Sequence, residues 1–236
     1  MPKVIINGLS LYYEWHGEAG AEPLVLICGL GMDTSEIPSP LLAGLAGRYR
    51  VLAFDNRGAG RTDMPPPPYT VEQMAADTAG LMRAVGLARA TVLGISLGGR
   101  IALALALAEP DLVAALVLAS TSARVRRTVR RTMKMAWHAR RPGRHGTHPQ
   151  AAHAFRAQAD ASAACDLRPR LGSIHVPVLI LHGTQDRSIP LTLAHELAAG
   201  IPATHLRTFP GGHNFLLAAE GRQAFLETVT NWRPTQ

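Results

Sequence analysis

Short apolar runs alternate with amphipathic stretches along most of the 236-residue chain. The apolar runs are rich in valine, leucine and isoleucine and are bounded by glycine, proline, asparagine or aspartate, a pattern typical of buried strands. They predict strands at Leu24–Cys28, Val51–Phe54, Thr91–Ile95, Ala115–Ala119, Val178–His182 and His205–Phe209. Helical periodicity predicts helices at Val71–Val85, Leu97–Ala108, Leu191–Ala199 and Gln223–Trp232.

The beginning of the chain predicts an antiparallel pair. Asn7-Gly8 separates an apolar run that begins at Val4 from the run Leu9–Trp15, and Asn-Gly at such a place is typical of a two-residue hairpin. Strands and helices then alternate, which predicts an α/β fold with a mostly parallel central sheet of about eight strands and helices on both faces. The length suits a single domain that spans residues 1–236.

The stretch with the clearest chemistry is Gly-Ile-Ser-Leu-Gly at residues 94–98, between a predicted strand and a predicted helix. A serine on a sharp strand-to-helix turn adopts strained backbone angles, so its neighbours must be small. Gly94 and Gly98 have no Cβ and provide that space. The pattern therefore predicts that Ser96 lies above the sheet, beside the N-terminal N–H groups of a helix.

A serine hydroxyl reacts only when a base takes its proton and an acid orients that base. Both residue types follow along the chain. Asp186 lies in the loop after one predicted strand, and His213 follows a Gly-Gly pair after the next. The chain order Ser96, Asp186, His213 is the order expected of a catalytic triad on an α/β sheet.

These stretches resemble the α/β-hydrolase superfamily, and the resemblance covers nearly the whole chain. Besides the serine turn, the matching segments are Leu24–Gly31, Phe54–Thr62, Gly183–Pro190 and Gly211–His213, in the family's order. The resemblance implies an α/β-hydrolase fold in which Ser96 is the nucleophile, Asp186 the acid and His213 the base. The backbone N–H groups of Leu30 and Leu97 would form the oxyanion hole. No cofactor and no metal ion are implied.

One position departs from the family pattern. The chain has Cys28-Gly29 where the family usually has His-Gly. Because the oxyanion donors are backbone N–H groups, this change concerns the rigidity of the loop and leaves its chemistry intact. Cys28 is not on a turn like that of Ser96, and we interpret it as a small buried apolar residue.

The segments Asp55–Gly60 and Pro68–Asp77 look most like those of 3-oxoadipate enol-lactonase-like members and carboxylesterases. The resemblance therefore implies a carboxylic ester hydrolase that cleaves a small-molecule ester or lactone through an acyl-enzyme. Other specificities stay open: esters carried on acyl carrier protein or other anionic acyl esters, carbon–carbon bond hydrolysis, and cofactor-free haloperoxidase chemistry. A ligand-binding protein of this fold with little turnover is the alternative outside enzymes.

Positive charge is concentrated in one segment. Residues 122–170 contain eleven arginines and Lys134 but only Asp160 and Asp166, within a chain of net charge +7. In the family this position holds a helical cap over the active site, so a cap insertion is predicted at about 122–170. Its predicted elements are a helix with an apolar stripe at Val125, Val129, Met133 and Trp137, and a second helix at Ala151–Ala164.

The basic cap has two interpretations. Its arginines either form a solvated face or bind an anionic substrate or an acidic partner. Nucleic-acid binding is not expected, because no recognised module or interleaved aromatic residues accompany the charge.

Other features bear on location and on tempting side chains. Cys28 and Cys165 are far apart and lack metal-ligand spacing, and no apolar stretch approaches the ~18 residues of a membrane span. A cytoplasmic enzyme without a membrane span is therefore predicted. Of the other polar residues, His182 is expected to form a hydrogen bond at a strand end. Asp55 is expected to be structural and to pair locally with the turn that contains Arg57. Arg100 is expected behind Ser96.

Overall fold

The computed structural model describes residues 2–125 and 148–233. Within them, eight strands form one sheet in the order β1-β2-β4-β3-β5-β6-β7-β8. The strands are β1 (Lys3–Ile6), β2 (Leu9–His16), β3 (Glu22–Ile27), β4 (Tyr49–Phe54), β5 (Ala90–Ile95), β6 (Val113–Ala119), β7 (Val178–Gly183) and β8 (Thr204–Phe209). β2 pairs antiparallel with β1 and β4, and all the other neighbouring pairs are parallel. The predicted mostly parallel sheet is confirmed.

Six α-helices occur in the described residues. They are α1 (Ser39–Ala46), α2 (Val71–Ala84), α3 (Leu97–Ala108), α4 (Ala152–Ala164), α5 (Leu191–Gly200) and α6 (Ala219–Asn231). α2, α3, α4 and α5 agree with the sequence prediction to within one residue at each end, and α6 begins four residues earlier. α1 is not predicted by the sequence pattern. It is short, and prolines flank its first residue, where a missing N–H costs little.

The helices cover both faces of the sheet, as predicted. Along β3, Leu24 and Leu26 belong to a core formed with α1 and α6, which contribute Leu41 and Phe225 among others. The alternate residues of β3 belong to a second core, formed with α2, α3, α4 and α5. Central parallel strands are thus buried on both sides, which is why their sequences are continuous apolar runs.

The predicted hairpin is also confirmed. Asn7 has φ = 51° and Gly8 has φ = 77°, and two positive φ values in succession are the requirement of a type I′ turn. Ile6 is directly opposite Leu9 in the β1–β2 ladder.

The predicted first cap helix lies mostly outside the described residues, which include Val125 but not Val129, Met133 or Trp137. The second is α4. No helix in the described part of the chain is long and apolar enough to cross a membrane.

The parallel strands place their carboxyl ends at one edge of the sheet. The loops after β3, β5, β6, β7 and β8 therefore lie close together there, which is where ligands bind in open α/β sheets.

Thr70 gives a test of the local sequence rules. Its Oγ1 accepts a hydrogen bond from the Gln73 N–H at 3.0 Å, and Gln73 Oε1 accepts one from the Thr70 N–H at 3.2 Å. Thr70→Ala leaves α2 without this cap and should lower the free energy of unfolding by about 1 kcal/mol in chemical denaturation.

Thr230→Ala is the matched control, because Thr230 lies inside α6 and alanine has the higher helix propensity there. This variant should be unchanged or slightly more stable. Equal destabilisation by both substitutions would contradict the capping role of Thr70.

Candidate active site

Ser96 alone connects β5, which ends at Ile95, to α3, which begins at Leu97. Its backbone angles are φ = 55° and ψ = −111°, a conformation that L-residues rarely adopt. The turn has little space. A Cβ on Gly94 would lie 2.4 Å from the Gly98 carbonyl oxygen, and a Cβ on Gly98 would lie 2.2 Å from the Ile27 carbonyl oxygen. The close approach of the backbone segments around Ser96 therefore requires glycine at both positions, as predicted.

The end of β6 holds the backbone of Ser96. The Ser96 N–H donates to the Ala119 carbonyl at 2.9 Å, and the Thr121 hydroxyl donates to the Ser96 carbonyl at 2.6 Å. Both backbone polar groups of Ser96 are thus held by residues at the end of β6 or just beyond it.

The structure brings together the three side chains predicted from sequence. His213 Nε2 lies 3.0 Å from Ser96 Oγ, and His213 Nδ1 lies 2.7 Å from Asp186 Oδ2. A carboxylate can only accept, so the ring proton is assigned to Nδ1 and Nε2 is left to accept from the Ser96 hydroxyl. The His213 side chain is 24% exposed, so a ligand can reach it from solvent.

The loop after β8 positions His213. The Ser120 hydroxyl, beyond the end of β6, donates to the His213 carbonyl at 2.7 Å. β6 therefore contributes to holding both Ser96 and His213.

Asp186 lies in the loop after β7, and its carboxylate is fully buried. Oδ1 accepts from the N–H groups of Ser188 at 2.7 Å and Ile189 at 2.8 Å. Burial would raise the pKa of Asp186, but the hydrogen bond and charge of His213, with the two N–H groups, outweigh it and lower that pKa. Asp186 is thus a carboxylate at neutral pH.

His182, the penultimate residue of β7, supports the same loop. It is fully buried, and its Nε2 lies 2.8 Å from the Ile189 carbonyl and 3.5 Å from Asp186 Oδ2. Burial lowers the pKa of His182, so the ring is neutral near pH 7 and donates from Nε2 to the carbonyl. The predicted hydrogen bond at a strand end is confirmed.

Leu30 and Leu97, whose backbone N–H groups are the predicted oxyanion donors, both lie near Ser96. Gly29 faces Ser96, since a Cβ on Gly29 would lie 3.5 Å from Ser96 Cβ, and Leu30 follows it in the loop after β3. Leu97 is the first residue of α3. In the part of the chain that the structure describes, neither the Leu30 N–H nor the Leu97 N–H has a hydrogen-bond acceptor.

Cys28 is completely buried at the start of this loop. Burial, and then the charge of Asp55, raise the pKa of the Cys28 thiol well above its ordinary value, so it is neutral. The interpretation of Cys28 as a small buried residue agrees with this. The loop is held through its backbone and not through the Cys28 side chain, because Asn56 Nδ2 donates to the Cys28 carbonyl at 3.0 Å.

Asp55 pairs with the turn that contains Arg57, as predicted, but the side chain that reaches it there is Arg61. Asp55 is buried and accepts from Arg61 Nε at 3.0 Å, while Arg57 crosses to α2 and forms a two-bond ion pair with Asp77 at 2.8 and 2.9 Å. The turn after β4 reverses between the two arginines, so it is Arg61 that comes back to Asp55. The Arg61 guanidinium also lies 3.5 Å above the centre of the Tyr12 ring.

Arg100 is buried beneath α4. It donates to Ser162 Oγ at 2.7 Å and to Ser122 Oγ at 3.2 Å. These contacts connect the start of α3 to α4 and to the segment after β6.

Sequence reasoning missed Gln158, on α4. Its side chain is completely buried and contacts the loops after β3 and β4. The pattern contains one indication of this. Gln158 is the polar member of a buried alanine stripe with helical spacing, formed with Ala154, Ala157 and Ala161.

Part of the basic segment is engaged in ion pairs. Arg124 pairs with Glu196 at 2.7 Å, and Arg168 pairs with Asp166 at 2.6 Å. The arginines at 126–144 lie outside the described residues. Among the described residues, no cluster of three or more histidine, cysteine or acidic side chains is arranged to hold a metal ion.

Comparison with known proteins agrees with this architecture. A family model for the α/β hydrolase fold matches residues 22–151, more than half of the chain. A protein of Variovorax paradoxus named as the carbamate hydrolase RutD is 30% identical over 87% of this chain and 90% of its own length.

Solved structures are similar over almost the whole chain. The enol-lactonase of Burkholderia xenovorans superposes with a TM-score of 0.84 at 30% identity, covering 98% of each chain. A hydrolase of Pseudomonas aeruginosa has a TM-score of 0.86 at 27% identity, covering 97% of this chain and 96% of its own. With the eight-stranded sheet and the serine turn, these matches show that the chain belongs to the α/β-hydrolase fold family.

Proposed function

We propose that the protein is a serine hydrolase that cleaves a carboxylic ester or lactone through an acyl-enzyme. The observation that carries the proposal is the continuous hydrogen-bonded chain from Ser96 through His213 to Asp186. It begins at a strained serine turn and has two N–H groups beside it without acceptors among the described residues. A nucleophile, a base and an acid linked in series, with N–H donors near the nucleophile, are the groups that acyl transfer requires.

In the first half of the reaction, Ser96 Oγ attacks the substrate carbonyl carbon while its proton passes to His213 Nε2. The carbonyl oxygen becomes an oxyanion, which accepts hydrogen bonds from the N–H groups of Leu30 and Leu97. When the tetrahedral intermediate collapses, the alcohol or ring oxygen leaves with the proton from His213. The acyl group remains on Ser96.

In the second half, water takes the place of the leaving group. His213 Nε2 removes its proton as it attacks the acyl carbonyl, and the same oxyanion donors act again. Collapse releases the carboxylic acid and returns the proton to Ser96. Asp186 remains ionised throughout. It accepts the hydrogen bond from His213 Nδ1–H and stabilises the imidazolium formed in each half.

The relatives suggest two substrate classes. The similarity to an enol-lactonase supports an ester or lactone, which the acyl-enzyme route handles directly. The similarity to a protein named as a carbamate hydrolase favours a carbamate as the second candidate. The two differ chemically because a carbamate nitrogen donates its lone pair to the carbonyl and makes the enzyme-bound intermediate less reactive toward water.

Two p-nitrophenyl probes with the same leaving group distinguish these candidates. The protein should hydrolyse p-nitrophenyl acetate continuously, and should also open an aryl lactone such as dihydrocoumarin. From p-nitrophenyl dimethylcarbamate, each protein molecule should release only one p-nitrophenol, because the carbamoylated serine reacts slowly with water. Continuous turnover of the carbamate at a rate comparable with the acetate would favour the second candidate.

Ser96→Ala is the control for both probes. Its turnover should fall by several orders of magnitude with the fold retained, as happens when a triad member is removed. Acetate hydrolysis by the natural protein no faster than by Ser96→Ala would contradict the proposal and favour a ligand-binding protein.

Asp186→Asn tests the choice of acid. An asparagine amide can donate to Nδ1, which leaves the proton on Nε2, and kcat for p-nitrophenyl acetate should fall by about 10⁴-fold, as in a related triad. Asp55→Asn is the matched control, because Asp55 is an equally buried carboxylate at the end of a strand, paired with Arg61. It should lower stability but keep kcat within about tenfold. The reverse pattern would assign the acid to Asp55.

A further inference from the structure

The loop after β3 makes a tight turn at Gly29–Met32. The Met32 N–H donates to the Gly29 carbonyl at 3.3 Å, and Gly31 has φ = 73°, as a type II turn requires at its third residue. The carbonyl of the Gly29–Leu30 peptide is therefore occupied. Its other polar group is the Leu30 N–H, which lacks an acceptor among the described residues.

Side-chain amides hold the two peptides on either side of this one. Before it, Asn56 Nδ2 donates to the Cys28 carbonyl at 3.0 Å. After it, the Gly31 N–H donates to Gln158 Oε1 at 3.0 Å. Because each peptide unit is planar, fixing both neighbours restricts the direction in which the Leu30 N–H can point.

Gln158 reaches this turn from α4, 127 residues away in the chain. Its Nε2 donates to the Arg57 carbonyl at 2.7 Å, so both ends of the amide are engaged and its orientation is fixed. Gln150 donates to the Gly58 carbonyl at 2.6 Å and to Gln158 Oε1 at 3.2 Å, so α4 and the residues just before it contact both loops.

The central Leu30–Gly31 peptide is the one that rotates when a type II turn converts to type I. That rotation would turn the Gly31 N–H away from Gln158. The buried Gln158 Oε1 would then lose this donor, and losing a hydrogen bond to a buried acceptor is unfavourable in free energy. The amide of Gln158 therefore selects one state of the turn.

We propose that Gln158 is a positioning residue that sets the direction of the Leu30 N–H from α4, and so couples this helix to oxyanion stabilisation. The proposal rests on the proposed function, since it assigns the Leu30 N–H to the oxyanion. This chain has Cys28 where the family usually has histidine, and the rigidity of the loop comes instead from Asn56 and Gln158.

Gln158→Met is the test, because methionine has similar length and helix propensity but removes all three side-chain hydrogen bonds of Gln158. For p-nitrophenyl acetate, kcat should fall about 10- to 100-fold with KM within about threefold, since a misdirected donor weakens the transition state more than substrate binding. Binding of a trifluoromethyl ketone, which forms a tetrahedral adduct with the serine, should weaken by the same factor as kcat/KM.

His153→Ala is the matched control. His153 is also on α4, and its Nε2 lies 3.1 Å from the Met64 carbonyl, so the substitution removes a contact between α4 and the loop after β4 without touching Gly31. It should leave kcat unchanged. An equal loss in His153→Ala and Gln158→Met would show a general effect of α4 docking and overturn the role of Gln158.

Amide hydrogen exchange in the natural protein supplies a measurement that needs no variant. The Gly31 N–H should be protected although it lies in a loop, and the Leu30 N–H should exchange fast until the trifluoromethyl ketone binds. Fast exchange at Gly31 overturns the proposal. The proposal is also overturned if Gln158→Met has the same kcat as the natural protein while hydrolysis by the natural protein depends on Ser96. Absence of Ser96-dependent hydrolysis overturns instead the proposed function on which this role rests.

Discussion

The contact between the turn at residues 94–98 and the end of β3 sets the geometry of the whole site. Gly98 packs so closely on the Ile27 carbonyl that no side chain fits between them. This forces Ser96 into its unusual backbone conformation and lifts its hydroxyl from the sheet. Because β3 ends at Ile27, the same contact places Gly29 and Leu30 directly beside Ser96. One packing constraint thus positions both the hydroxyl and the neighbouring N–H group.

The structure also shows how two similar carboxylates receive different surroundings. Asp55 and Asp186 both follow parallel strands and are both buried. Asp55 faces Arg61, a permanent cation, and this pair closes the turn after β4. Asp186 faces His213, whose ring is able to gain and lose a proton. A buried carboxylate needs a partner, and the chemistry of that partner determines what the carboxylate can do.

Local rules explain what the sequence could predict. Asn7-Gly8 predicts a hairpin because both residues tolerate positive φ, and the glycines around Ser96 predict a tight turn for the same steric reason. The order of Ser96, Asp186 and His213 predicts their meeting because parallel strands end at one edge of the sheet.

What the sequence could not predict depends on contacts between distant residues. Arg57 is nearer to Asp55 in the chain than Arg61 is, yet the path of the turn brings Arg61 to the carboxylate and takes Arg57 to Asp77. Gln158 lies 127 residues from Gly31, and no local rule connects them. The short helix α1 has two prolines near its start and is stabilised by packing against α6.

Trapping the intermediate tests the central claim most directly. Turnover of p-nitrophenyl acetate is stopped with acid within milliseconds to seconds, and fragments of the protein are then weighed by mass spectrometry. This activated ester acylates fast, so the account predicts an acetyl group that appears on Ser96 early in turnover and disappears when substrate is exhausted. An acetyl group on Cys28 or His213 in place of Ser96, or steady hydrolysis with no acetylated protein at any time, would contradict it.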